Sequence, residues 1–207
     1  MKQALSVILL IAFVACTASI NETVYVKDGE IKKGDINTIN GAIIIGNGST
    51  VKGDCRAING SIEMGDNSTV DDLTTVNGSI EVGKQSIVKE DVSSVNGSVR
   101  IDDGTLVEGE INTINGNIEL IHATVNENIE TINGDIELKK GSIANRNIVV
   151  KDNNGKEDKR RIDIYLKDNS LVKGDIVVEG KHTTVKVHLL DDSKIEGDII
   201  NAEIVYE

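Results

Sequence analysis

The chain has 207 residues and a formal charge of −12, with one Phe, three Tyr and no Trp. That charge argues against nucleic acid, whose phosphates are gripped by Lys and Arg, and against adsorption to anionic lipid. So few rings leave any core to aliphatic side chains, and two cysteines make no disulfide framework.

Lys2 precedes an apolar run from Ala4 to Val14 and then small residues, the pattern of a secretory signal. The run is too short for a membrane-spanning helix, which needs about 20 residues. Its end, Phe13-Val14-Ala15-Cys16, resembles a bacterial lipobox, with Phe where Leu is usual. The resemblance implies a signal peptide over 1–15, cleavage before Cys16 and lipid on Cys16. With Thr17 next in place of Asp, it also implies an outer-membrane-anchored lipoprotein of the cell envelope. Each buried methylene of such an anchor adds about 0.8 kcal/mol. Cleavage after Ala18 is the alternative, releasing a soluble periplasmic or secreted protein. With Cys16 lipidated, Cys55 reads as a small buried hydrophobe.

Residues 16–27 read as an N-terminal tether or cap, and 28–207 as one repetitive domain. Six Asn-Gly pairs follow a β-branched residue, at Asn40, Asn59, Asn77, Asn96, Asn115 and Asn133, spaced by 19, 18, 19, 19 and 18 residues. Such a period marks a chain that coils on itself, one repeat per turn. Five apolar columns run through the copies, all expected to face inward. The first holds Ile39, Ile58, Val76, Val95, Ile114 and Ile132. The second begins Ile43, Ile62, Ile80, Val99 and the third Ile45, Met64, Val82, Ile101. The fourth begins Val51, Val70, Val88, Val107 and the fifth Ile36, Cys55, Leu73, Val92.

Columns two residues apart share one strand and one face. The step of three from the fifth column to the first breaks that alternation and predicts a corner between them. Ser170 to Ile176 and Ser193 to Ile199 repeat Ser49 to Cys55, and Gly29 to Ile36 is a weakened first copy with Lys32 in the fourth column. The fold class is all-β: a single-stranded β-helix of about nine turns of 18–19 residues, expected right-handed, about 43 Å long at ~4.8 Å per turn. Lys151 to Arg161 lacks any apolar residue and is expected to be a loop inserted at one corner. Asn-Gly also favours hairpins. A membrane barrel, however, needs an apolar outer band with aromatic girdles, whereas the columns facing out are polar, as in Glu63, Glu81, Arg100, Glu119 and Glu137.

Three features invite chemistry. The acidic column Asp35, Asp54, Asp72, Asp91 offers oxygen ligands for weak cation binding, or closes corners through backbone hydrogen bonds; no other metal site and no cofactor is expected. The Asn column can bond amide to amide along the axis. Lys156, Lys159, Arg160 and Arg161 make one basic spot, a candidate docking loop for an anionic partner. His122, His182 and His188 share no ligand spacing, and no catalytic arrangement is visible.

Three stretches carry a resemblance: Thr75-Val76-Asn77-Gly78-Ser79-Ile80, Val172-Lys173-Gly174-Asp175-Ile176 and Val185-Lys186-Val187-His188-Leu189. They resemble a family of uncharacterised bacterial lipoproteins, adhesin-like β-solenoid domains and, more distantly, the polymer-forming bactofilins. The resemblance implies a β-solenoid and no catalytic residue. The expected function is a non-enzymatic scaffold or surface-contact rod, anchored to the membrane by lipid, with an envelope protein or polysaccharide as partner. The alternative is a bactofilin-like filament that self-associates through solenoid ends, and the remaining one a polysaccharide-acting β-helix enzyme.

Overall fold

A computed structural model describes residues 19–153, 159–180 and 182–206. Among them the backbone forms 28 short strands and no helix. Three parallel sheets result. The first has ten strands, from Val24–Val26 through Ile43–Ile45 and Ile62–Met64 to Glu203–Tyr206. The second has nine, from Ile31–Lys33 through Thr50–Lys52 to Lys194–Ile195, and the third nine, from Ile36–Thr38 through Cys55–Ala57 to Ile199–Ile200. The chain visits the three in fixed order and then climbs one rung, giving a β-solenoid of about nine turns. Signal peptide and lipidation site lie outside the described residues. Rungs begin before residue 28, because Val24–Val26 already pairs with Ile43–Ile45.

Register follows the repeat. Ile80 lies between Ile62 and Val99, and Val88 between Val70 and Val107, all fully buried. β-Branched and aliphatic side chains stack on their own kind inside the rod, where they pack well on a pleated surface. Cys55 sits between Ile36 and Leu73 as one more core residue. Burial foremost, then the charges of Asp72 and Asp54, push its thiol far above the ordinary range, so the reactive thiolate is disfavoured.

Two expectations need correction. The first apolar column, Ile39 to Ile132, is half-buried and faces outward; the inward position beside it belongs to Thr38, Ala57, Thr75, Ser94, Thr113 and Thr131. In Val92–Asn96 the strand simply continues through Val95, so the corner falls later, at Asn-Gly. Small hydroxyl side chains suit that narrow edge because they also satisfy backbone carbonyls. Thr75 Oγ1 donates to Gly60 O at 2.9 Å and Thr113 Oγ1 to Gly116 O at 3.0 Å. The second correction concerns the loop, which ends sooner than expected. Arg160 and Arg161 open the seven-residue strand Arg160–Leu166 in the first sheet.

A further buried hydroxyl column, Ser49, Ser68, Ser86 and Thr105, went unread in the sequence. Each donates to a carbonyl, as Ser68 Oγ does to Gly46 O at 2.8 Å, and Ser68, Ser86 and Thr105 also accept from the backbone N–H of the rung before, as Ser68 Oγ does from Ser49 N at 3.1 Å. Polar groups taken out of water at this corner are thereby paired.

Candidate functional site

The Asn-Gly corner joins the third sheet to the next strand of the first. Here the glycines are required by close approach. A Cβ on Gly60 would lie 1.9 Å from Gly41 O, and one on Gly97 1.9 Å from Gly78 O. With no side chain in the way, adjacent rungs approach closely and the Asn amides meet. Asn40 Nδ2 donates to Asn21 Oδ1 at 2.7 Å, and the pattern repeats through Asn59, Asn77, Asn96, Asn115 and Asn133 at 2.8–2.9 Å. Every donation points toward the N-terminal end.

Arg160 closes the column at its other end. Its guanidinium donates to Asn133 Oδ1 at 3.0 Å, to Ile132 O, to Lys151 O at 3.3 Å and to Thr183 Oγ1 at 2.6 Å. Of the four residues expected to dock a partner, Arg160 is thus taken up in fixing the chain where it re-enters the stack. Arg161 pairs with Asp163 at 3.1 Å. Lys159 is exposed, and Lys156 lies outside the described residues. Among the described residues of the basic spot, Arg160 and Arg161 are already bonded within the chain.

Asp35, Asp54, Asp72 and Asp91 line the corner between the second and third sheets, one per rung. Their partners are backbone and side-chain donors. Asp35 Oδ1 accepts from Asp54 N at 3.1 Å and Asp91 Oδ1 from Glu110 N at 2.8 Å. Asp54 pairs with Arg56, and Asp72 Oδ1 accepts from Thr74 Oγ1 at 2.7 Å. Farther along, Asn147 Oδ1 accepts from Asp175 N in the same way at 2.8 Å. The exchange of Asp for Asn within this column was the readable sign that an acceptor, and not a charge, is required. Among the described residues no three His, Cys, Asp or Glu side chains are grouped to hold a metal.

A shallow trough of about 570 Å³ lies on the outer face of the first sheet. Its floor is the outward column Glu81, Arg100, Glu119, Glu137 and Tyr165. From Arg100 onward the charges satisfy one another. Arg100 bonds Glu119 and, at 3.0 Å, Asp102; Lys139 bonds Glu119; Lys167 reaches Glu137 at 2.7 Å. Burial alone would raise the Glu119 carboxyl, but Lys139 and Arg100 outweigh it and hold it below the usual range. At the C-terminal end Tyr165 stacks on His188, with ring centroids 4.4 Å apart, and Lys167 sits 4.8 Å over the Tyr165 ring. His188 Nε2 lies 3.0 Å from Asp163 Oδ1. Burial would raise Asp163, yet His188 and Arg161 hold it low. Arg100 interrupts the outward Glu column and relieves it by pairing with Glu119. Nothing in the sequence signalled the Tyr165–His188 stack, which depends on pairing across a 23-residue rung.

Such a face can offer hydrogen-bond donors and acceptors at the spacing of the rungs, with one aromatic platform. No family model, curated protein or solved structure matches the chain. Among the described residues no helix is long and apolar enough to cross a membrane.

Proposed function

We propose that the protein is a rigid structural rod of the bacterial cell envelope, tethered through lipid on Cys16, that acts as a scaffold or surface contact and not as an enzyme. The observation that supports this reading most is the state of the trough. Its cations are paired with carboxylates on neighbouring rungs, which suits recognition of a polar chain lying along the rod better than bond cleavage. Purified solenoid incubated with outer-membrane and cell-wall polysaccharide fractions is expected to co-sediment with one of them and release no fragments. Fragments in the supernatant would overturn the reading. Mass spectrometry of the mature N-terminus tests the tether: a diacylated or triacylated Cys16 is expected, and an unmodified chain starting at Ser19 refutes it.

End-to-end assembly is a second reading, favoured by the last rung. Ile204 and Tyr206 register with Val187 and Leu189 yet are 41% and 77% exposed. A strand edge with apolar neighbours invites another strand. Lys32, registered with the buried Val51, opposes it at the first rung. Electron microscopy separates the two: filaments favour assembly, and single rods of about 43 Å favour the first reading.

A further inference from the structure

Asn-Gly is chemically fragile. The glycine nitrogen can attack the Asn Cγ. An N–Cγ bond forms, Cγ–Nδ2 breaks, and ammonia leaves with the glycine amide proton, giving a five-membered succinimide. Water then opens the ring to aspartate or isoaspartate, so no reagent beyond water is consumed. The nucleophile must come within about 3–3.5 Å of the carbon in the right orientation.

In this fold the nucleophile is available and the electrophile is held. Among the described residues none of the six glycine N–H groups at 41, 60, 78, 97, 116 and 134 donates a hydrogen bond. Each Asn side chain, by contrast, is engaged at both ends: Nδ2 donates to the rung before, and Oδ1 accepts from the rung after or, at Asn133, from Arg160. Swinging Cγ toward the glycine breaks both bonds. Asn47-Gly48, off the column, is arranged otherwise, with Gly48 N–H itself donating to Asp66 O at 2.8 Å.

We propose that the amide column is a lock that keeps six Asn-Gly bonds from converting, and that conversion at one rung unlocks only its N-terminal neighbour. The direction follows from the donors. An aspartate made at position 96 is ionised and can only accept. It still receives the Asn115 amide, but it no longer donates to Asn77, whose Oδ1 then faces a carboxylate. Asn77 keeps only its bond to Asn59 while Asn115 keeps both of its own, and damage travels toward residue 21.

The test is peptide mapping by mass spectrometry at mildly alkaline pH. In the folded protein the six sites are expected to convert at least about tenfold more slowly than in urea, the factor that one net hydrogen bond supplies. Asn96→Asp should speed conversion at Asn77 about tenfold and leave Asn115 and Asn47 unchanged. Asn96→Ala removes both the donor and the acceptor and should speed Asn77 and Asn115 together. Equal rates at Asn77 and Asn115 in Asn96→Asp, folded sites as fast as unfolded ones, or acceleration at every site including Asn47 would each overturn the proposal.

Discussion

Thr74 donates its hydroxyl to Asp72 at 2.7 Å, on the rung between Asp54 and Asp91. Burial raises the Asp72 carboxyl to about 6, against the opposing effect of that bond, and Asp54 adds to the rise. The folded value lies above the ordinary 3.8, so the folded state favours the proton. Stability from this group is therefore fully present below the unfolded value and is lost as pH rises through about 6. Asp72→Asn, which keeps an acceptor for Thr74, is expected to raise the melting temperature at neutral pH by the equivalent of about 1–3 kcal/mol and to change little near pH 4. Melts across that range by circular dichroism check it; an unchanged neutral-pH melt refutes it.

Val88 is wholly buried between Val70 and Val107, inside the second sheet. Val88→Asp places a charge among methyl groups with no partner. A cost of about 3–5 kcal/mol is expected, the penalty of an uncompensated buried charge. Ile87→Asp on the same strand faces outward and is 38% exposed; it should stay within about 1 kcal/mol. Urea titration of both variants measures the contrast, and similar midpoints would contradict this in/out assignment.

Columns Val51, Val88 and Ile62, Ile80, Val99 were legible because a two-residue alternation and an 18–19-residue period both point to the same stripe. The Ile39 column was misread for a physical reason. Hydrophobicity does not say which of two adjacent positions faces in when the inward one is a small hydroxyl residue that spends its polarity on a backbone carbonyl, as Thr75 does on Gly60. The Asn ladder was foreseeable from its spacing alone. Its closure by Arg160 was not, since that contact joins residues 27 apart across an insertion that breaks the period.

Arg160 ties Asn133, Lys151 and Thr183 together where the chain returns to the stack. Arg160→Met keeps most of the apolar stem and removes the donors. A loss of about 1.5–3 kcal/mol is expected, as for hydrogen bonds to a charged group. Lys159→Ala, at an exposed neighbouring position, should change stability by less than about 0.5 kcal/mol. Thermal melts of the two variants decide whether Arg160 is structural; equal small effects would return it to the docking surface.

Gly97 offers a test of sign. It is absent from the positive-φ glycines, and a glycine in an ordinary conformation is normally stabilised on replacement by alanine, by about 0.4–1 kcal/mol, through the unfolded chain. Rung stacking predicts the reverse, because the new Cβ would meet Gly78 O at 1.9 Å and backbone on both sides must move. Gly97→Ala is expected to destabilise by about 1–3 kcal/mol, the range for forced overpacking. Gly141→Ala supplies the comparison: its site has open space within 4 Å but a φ of +75°, so its cost of about 1–2 kcal/mol is conformational alone. The two losses should also differ in place. Hydrogen exchange in Gly97→Ala is expected to rise at the Asn77 and Asn96 amides, which donate to the rungs before them, and in Gly141→Ala only near its own turn. A stabilised Gly97→Ala would mean that the rungs are held apart more loosely than their amide column requires.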